Sequence, residues 1–317
     1  MSDVTHRDIK TNGIRMHVAE AGEGPLVVML HGFPEGWYSW RHQLAALSEA
    51  GFHAVAPDQR GYGQTDRPAE IEKYSMLHLV GDVIGLLDAL EESQAVVVGH
   101  DWGAPVAWST ALWRPDRITG VVGLSVPFRR RGPRPPLDAY REVLGERFYQ
   151  IYFQEPGVAE RELESDVRRT LLAVLWGASG EAPSVYDGMV REEGLVASFG
   201  AADHLPAWLN EADLDYFVKQ FQSTGFAGGL NWYRNINRNW ELSAAWQGAL
   251  VTPPALHMVG DRDLVFHFPG GKESASTLKT LVPNLTQTIV LEGCGHWIQQ
   301  ERPAQVNSAL LEFVRGL

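Results

Sequence analysis

Apolar and polar positions alternate loosely over residues 7–20, which predicts an edge hairpin turning at Asn12-Gly13. The pattern then changes. Pro25-Leu26-Val27-Val28-Met29-Leu30 is a continuous apolar run, as are Phe52 to Pro57, Val96-Val97-Val98 and Thr119 to Val126, and each reads as a buried strand. Helical spacing separates them: residues 39–50, residues 74–92 through Leu77, Val80, Ile84, Leu87 and Leu90, and a helix opening at Ala104-Pro105-Val106. Strands alternating with helices in this way predict an α/β protein with a mostly parallel central sheet and helices on both faces.

After Val126 the strand pattern stops. Phe128-Arg129-Arg130-Arg131-Gly132-Pro133-Arg134-Pro135-Pro136 is a basic, proline-rich hinge, and no β pattern follows until about residue 248. Leu163–Trp176 and Leu214–Phe221 read as helices within this block. Strands resume at Ala255–Gly260 and Thr286–Leu291, and a final helix is expected through Val306, Leu310, Leu311 and Val314. The expected organisation is a core in two parts, 1–128 and 248–317, interrupted by a helical cap at 129–247.

Composition narrows the function classes. The chain has 317 residues and a net charge of −12, which argues against nucleic acid and anionic membranes as partners. The basic run lacks interleaved aromatics and reads as a solvated connector. Cys294 is the single cysteine, so no intramolecular disulfide and no cysteine-based zinc site can form. Met1 to Asp8 holds no apolar leader segment, and a cytoplasmic location is expected. Histidines and acids show no metal-binding spacing, and neither a metal nor a cofactor is expected. Eleven tryptophans suit an aromatic-lined cavity, and serve equally well as plain core. Oligomeric state is not legible, so a homodimer stays open.

The chemistry centres on Val96-Val97-Val98-Gly99-His100-Asp101-Trp102-Gly103. A buried strand, a tight glycine-flanked turn and an apolar helix form the setting of a nucleophile elbow, with Asp101 where serine is usual. Serine attack on saturated carbon would leave an ether, whereas carboxylate attack leaves an ester that water can cleave. Asp101 therefore points to displacement at a carbon–halogen or epoxide carbon–oxygen bond, and the absence of an elbow serine disfavours a serine esterase. The bland reading is that Asp101 simply caps a helix.

Further groups follow the other strands. The His31-Gly32-Phe33-Pro34 turn would place the Phe33 N–H, and the elbow the Trp102 N–H, as an oxyanion hole; a cis Phe33–Pro34 bond would aim the first of these. Gly260-Asp261-Arg262-Asp263 and Glu292-Gly293-Cys294-Gly295-His296-Trp297 complete the order nucleophile, acid, histidine. His296 is the expected general base and Asp263, in preference to Asp261, its orienting acid. Asp261 is expected to bond local backbone.

The runs His31 to Arg41, Asp58-Gln59-Arg60-Gly61-Tyr62-Gly63 and Gly99 to Gly103 resemble the epoxide hydrolases of the α/β-hydrolase fold, of the single-domain bacterial type. Tyr149 to Gly157 and Leu230 to Asn235 resemble the two cap segments that carry the family's ring-opening tyrosines. The resemblance covers nearly the whole chain. It implies an α/β-hydrolase fold, a small epoxide as substrate, and Tyr152 and Tyr233 as the phenols that open the ring. It also implies a substrate site formed by Phe33, Trp102, Tyr152, Tyr233 and Trp297. Gly36 departs from the family, which more usually has serine there.

Two other classes compete. Haloalkane dehalogenases share the aspartate–histidine–acid machinery, but often present asparagine at the position of Phe33, and a halide leaves without a proton. An epoxide oxygen leaves as an alkoxide and needs an acid, for which a phenol of pKa about 10 is suitable. A non-catalytic binding relative typically lacks one of the three catalytic groups, and all three are here.

Overall fold

The computed structural model describes residues 4–200, 202 and 204–317. Eight strands form one sheet in the order β1-β2-β4-β3-β5-β6-β7-β8. These are β1 (Thr5–Thr11), β2 (Ile14–Ala21), β3 (Leu26–Leu30), β4 (His53–Pro57), β5 (Ala95–His100), β6 (Ile118–Leu124), β7 (Ala255–Gly260) and β8 (Leu285–Leu291). The first two form the expected antiparallel hairpin, with Asn12 and Gly13 both at positive φ in the turn. β2 pairs antiparallel with β4, and every later pairing is parallel.

Covered faces explain why the central strands read as unbroken apolar runs. Val28, Val97 and Val121 pack on one side with Leu79, Val83 and Leu86 of helix Met76–Ala89 and Trp108 of helix Gly103–Trp113. Val27, Met29, Val96, Val98 and Val122 pack on the other, against Leu44 and Leu47 of helix Arg41–Glu49 and Val306 and Leu310 of helix Pro303–Arg315.

Three details of the expected pattern differ. Leu77 is exposed, because helix Met76–Ala89 turns Met76, Leu79 and Val83 inward instead. In the last helix Phe313, not Leu311, completes the buried stripe. The single helix expected over Leu163–Trp176 is two, Val158–Leu163 and Val167–Gly177. The break holds Asp166, whose carboxylate accepts the Arg169 N–H at 3.0 Å and starts the second helix afresh.

Between β6 and β7 the chain builds helices from Pro136 to Leu242 and no strand of the sheet. They sit over the carboxyl ends of β3, β5 and β7, where ligands gather in such folds. Asp213 ties this block to the core, accepting from the Tyr38 hydroxyl at 2.8 Å and pairing with Arg41 at 3.3 Å. The Trp232 indole donates to the Arg60 carbonyl at 3.1 Å. Gln220 of the same block fills the space that a side chain at position 36 would need. No helix of the described residues is long and apolar enough to cross a membrane.

Candidate active site

Asp101 sits at the end of β5 with φ of +49°, a left-handed conformation that non-glycine residues rarely adopt. The turn closes only because its flanks are glycines. A Cβ on Gly99 would overlap the Gly103 carbonyl, and one on Gly103 the Leu30 carbonyl. Gly32 likewise lies against the Asp101 carboxylate, where any side chain would collide. The Phe33–Pro34 peptide is cis, and the Phe33 N–H donates to Asp101 Oδ1 at 2.8 Å. The N–H of Trp102 takes no acceptor among the described residues.

His296 faces the other carboxylate oxygen, with Nε2 3.4 Å from Asp101 Oδ2. Its Nδ1 lies 3.0 Å from Asp263 Oδ1, which also accepts the Val265 N–H at 2.8 Å. The structure thus brings Asp263 to His296. Asp263, not Asp261, is the acid on the histidine; the Asp261 N–H donates to the Leu291 carbonyl at 3.0 Å and its carbonyl accepts from His267, while its Oδ1 has no partner. Ser125, at φ +70° just past β6, places Oγ 3.1 Å from His296 Nδ1, a second contact on that nitrogen.

Charge organises the cluster. Burial pushes the Asp101 carboxyl up, but the hydrogen bond and charge of His296, the nearby His100 and the Phe33 N–H hold it below its usual value. Burial works against a charged His296, yet Asp263 and Asp101 together raise the imidazole well above its usual value. The two acids therefore favour the protonated form of His296 in the free site.

A second polar cluster lies beneath. Glu35 is fully buried and bonded to His100 Nδ1 at 2.7 Å, while the other nitrogen of His100 reaches the His296 carbonyl at 2.7 Å. Glu35 also accepts the Gly32 N–H at 3.0 Å and the amides of Gln299 and Gln300 at 2.9 and 3.2 Å. One carboxylate thus links the oxyanion turn, the elbow and the histidine loop. Removing one member of a buried pair leaves the other uncompensated, at about 3–5 kcal/mol. Glu35→Ala should lower unfolding stability by that amount in a denaturant titration.

The helical block between β6 and β7 contributes Tyr233, on helix Ala227–Arg234, and Tyr149, on the short helix Tyr149–Tyr152. Both line the cavity that Asp101 enters, and their rings lie 5.9 Å apart. Burial raises both phenols first, and the Asp101 charge adds to it. Tyr152 corrects the expectation: its hydroxyl donates to Glu162 Oε2 at 2.6 Å, and it lines neither lobe of the cavity. Tyr149 shares a helix face with Phe153 four residues on, and that face, which contacts Tyr233 and Phe33, looks into the cavity. Tyr152 is rotated away from it. Trp102 and Trp297 line opposite lobes, the Trp297 indole donating to the Leu175 carbonyl at 2.9 Å.

Tyr149, Ser125 and the Glu35–His100 pair are the members that sequence reasoning missed. Tyr149 stood in the quoted segment Tyr149 to Gly157, three residues from the chosen tyrosine, and Glu35 directly follows the His31–Pro34 turn, within the run His31 to Arg41. No local signal marks Ser125.

A parallel sheet with an acidic elbow at its centre, histidine and acid at later strand ends and a helical insertion above defines an α/β hydrolase. The family profile described as alpha/beta hydrolase fold matches residues 25–303. Epoxide hydrolase 2 of Siraitia grosvenorii is 48% identical, spanning 99% of this chain and 99% of that protein. Epoxide hydrolase A of Mycobacterium tuberculosis is 43% identical over 100% of this chain and 99% of its own. A crystallised epoxide hydrolase from an endophytic Streptomyces superposes with a TM-score of 0.95 at 44% identity, covering 99% of this chain and 96% of that one. The chain belongs to the epoxide hydrolases of the α/β-hydrolase fold.

Proposed function

We propose that this epoxide hydrolase works through a covalent ester on Asp101, with Tyr149 and Tyr233 as ring-opening acids and residues 129–247 as the cap that carries them. The observation behind this reading is that a buried phenol, Tyr233, a half-buried one, Tyr149, and one strained carboxylate line the same cavity. Asp101 Oδ1 is already held by the Phe33 N–H, so Oδ2 is the attacking oxygen. It bonds to one ring carbon in line as the carbon–oxygen bond breaks, and a phenol gives its proton to the departing alkoxide.

The His296 imidazolium first returns its proton to the phenolate across the lobe they share. Water then attacks the Asp101 carboxyl carbon and passes a proton to the now neutral His296, which Asp263 orients. The N–H groups of Phe33 and Trp102 stabilise the negative charge on Oδ1. Collapse passes the His296 proton to the departing oxygen and releases a vicinal diol, and the proton left on the Asp101 carboxyl returns to His296, restoring the carboxylate. The substrate is a small-molecule epoxide, and the steps use the side chains and backbone N–H groups named above. The lone cysteine is buried and free, which favours a reducing cytoplasm as the place of work.

The dehalogenase alternative shares the nucleophile, but a halide has no use for two phenols. Incubation with styrene oxide and with 1-bromobutane separates the readings. Diol should form from the first and no bromide should be released from the second. Bromide release without diol would reverse the assignment.

A further inference from the structure

Asp101, Tyr149 and Tyr233 all line two separate lobes of the cavity, so the reacting ring lies where the lobes meet. The lobes are unequal. One has a volume of about 460 Å³, runs beneath Trp102, Trp108 and Phe268, and has exposed Arg129 and Val143 at its rim. The other, past Phe33 and His296, has about 50 Å³. A cavity of about 150 Å³ lined by apolar side chains accommodates benzene, and a single water needs about 10–15 Å³. The narrow lobe is therefore too small for a phenyl ring and large enough for a short alkyl group.

Its walls also set the polarity of that group. Leu163, Val174, Leu195 and Phe199 are apolar. The Thr170 hydroxyl is taken by the Leu163 carbonyl at 2.9 Å, and the Tyr186 hydroxyl, buried, has no free surface. A polar substituent would lose its water against these mostly apolar walls, which costs about 1–3 kcal/mol for a hydroxyl left unpaired. Trans substituents on an epoxide point in opposite directions, so a ring held at Asp101 must send one into each lobe.

We infer that this enzyme's substrates are epoxides with one bulky apolar arm and, trans to it, hydrogen or a short alkyl group. This rests on the epoxide-hydrolysis reading and adds a steric limit on one side of the ring. The narrow lobe makes Val174 and Phe199 specificity-determining residues. Val174 lies on helix Val167–Gly177, and Phe199 stacks on Tyr186 with ring centroids 4.2 Å apart.

Three probes differing only in the second substituent test it: styrene oxide (hydrogen), trans-1-phenylpropylene oxide (methyl) and trans-stilbene oxide (phenyl). Diol formation should give kcat/KM for the first two within about ten-fold of each other, and for the third at least about 100-fold lower, the range over which an apolar pocket discriminates by size. Phe199→Ala, which widens the lobe, should raise the stilbene-to-styrene ratio at least about ten-fold. Val174→Phe, which fills it, should lower the methyl-to-hydrogen ratio by a similar factor. Comparable rates on all three probes would overturn the inference and leave the epoxide reading standing, as would ratios unmoved in both variants when these melt like the parent. No diol from any probe would overturn the epoxide reading and the inference together.

Discussion

A His296→Gln enzyme mixed with styrene oxide should gain the mass of one epoxide and keep it. Asp101 would still attack, because its Oδ2 and the phenols are untouched. The second half of the reaction would stall, because glutamine cannot take the proton of the attacking water. Intact-mass spectrometry should show the adduct within the first turnover, and peptide mapping should place it on Asp101. Asp101→Ala should form no adduct and lose at least about 10⁴-fold in turnover, as expected when a nucleophile is removed and only binding and the oxyanion donors remain. A diol produced by His296→Gln with no adduct at any time would exclude the ester route.

The second large effect concerns the cap. Tyr149→Phe or Tyr233→Phe alone should slow ester formation by about 10²-fold, the usual contribution of a positioned acid, because the remaining phenol can still donate. The double variant should lose ester formation almost entirely, while hydrolysis of an ester already formed continues. Tyr152→Phe should stay near the parent, since its hydroxyl is committed to Glu162. The phenols also gain acidity as the reaction proceeds. The Asp101 charge that raises both of them is consumed as its oxygen bonds to carbon, so proton donation becomes easier as the alkoxide develops. Stopped-flow tryptophan fluorescence on the four enzymes would separate the cases. A double variant that opens the ring at the parent rate would reduce Tyr149 and Tyr233 to packing residues.

How much of this was legible in the sequence varies with distance along the chain. Asp101, Asp263 and His296 each follow a short apolar run, and a parallel sheet gathers the ends of such runs at one edge, so position along the chain already implied position in space. The glycines that close the elbow were visible for the same reason. The choice between Tyr149 and Tyr152 was not. Both lie in one four-residue helix, and which of them enters the cavity depends on how that helix rolls against Phe33, 116 residues before Tyr149, and Tyr233, 84 residues after it. Glu35 and His100 are 65 residues apart, and each alone reads as an ordinary polar residue at a strand end. Leu77 was misassigned because an apolar residue at helical spacing fits more than one rotation of the helix, and only packing against the sheet selects one.

The imidazolium held between Asp101 and Asp263 acts as a clock. While Asp101 is not yet alkylated, it and Asp263 favour the protonated form of His296, which is the form that cannot serve as a base. Once Asp101 is alkylated its charge is gone, and with it one of the two acids that held the proton on the ring. The imidazolium is then free to give that proton to the phenolate left by ring opening and to accept another from water, at the moment when there is an ester to cleave. When hydrolysis regenerates the carboxylate, the proton is held again. The two half-reactions are thereby kept in sequence by one negative charge that appears and disappears, with no moving part.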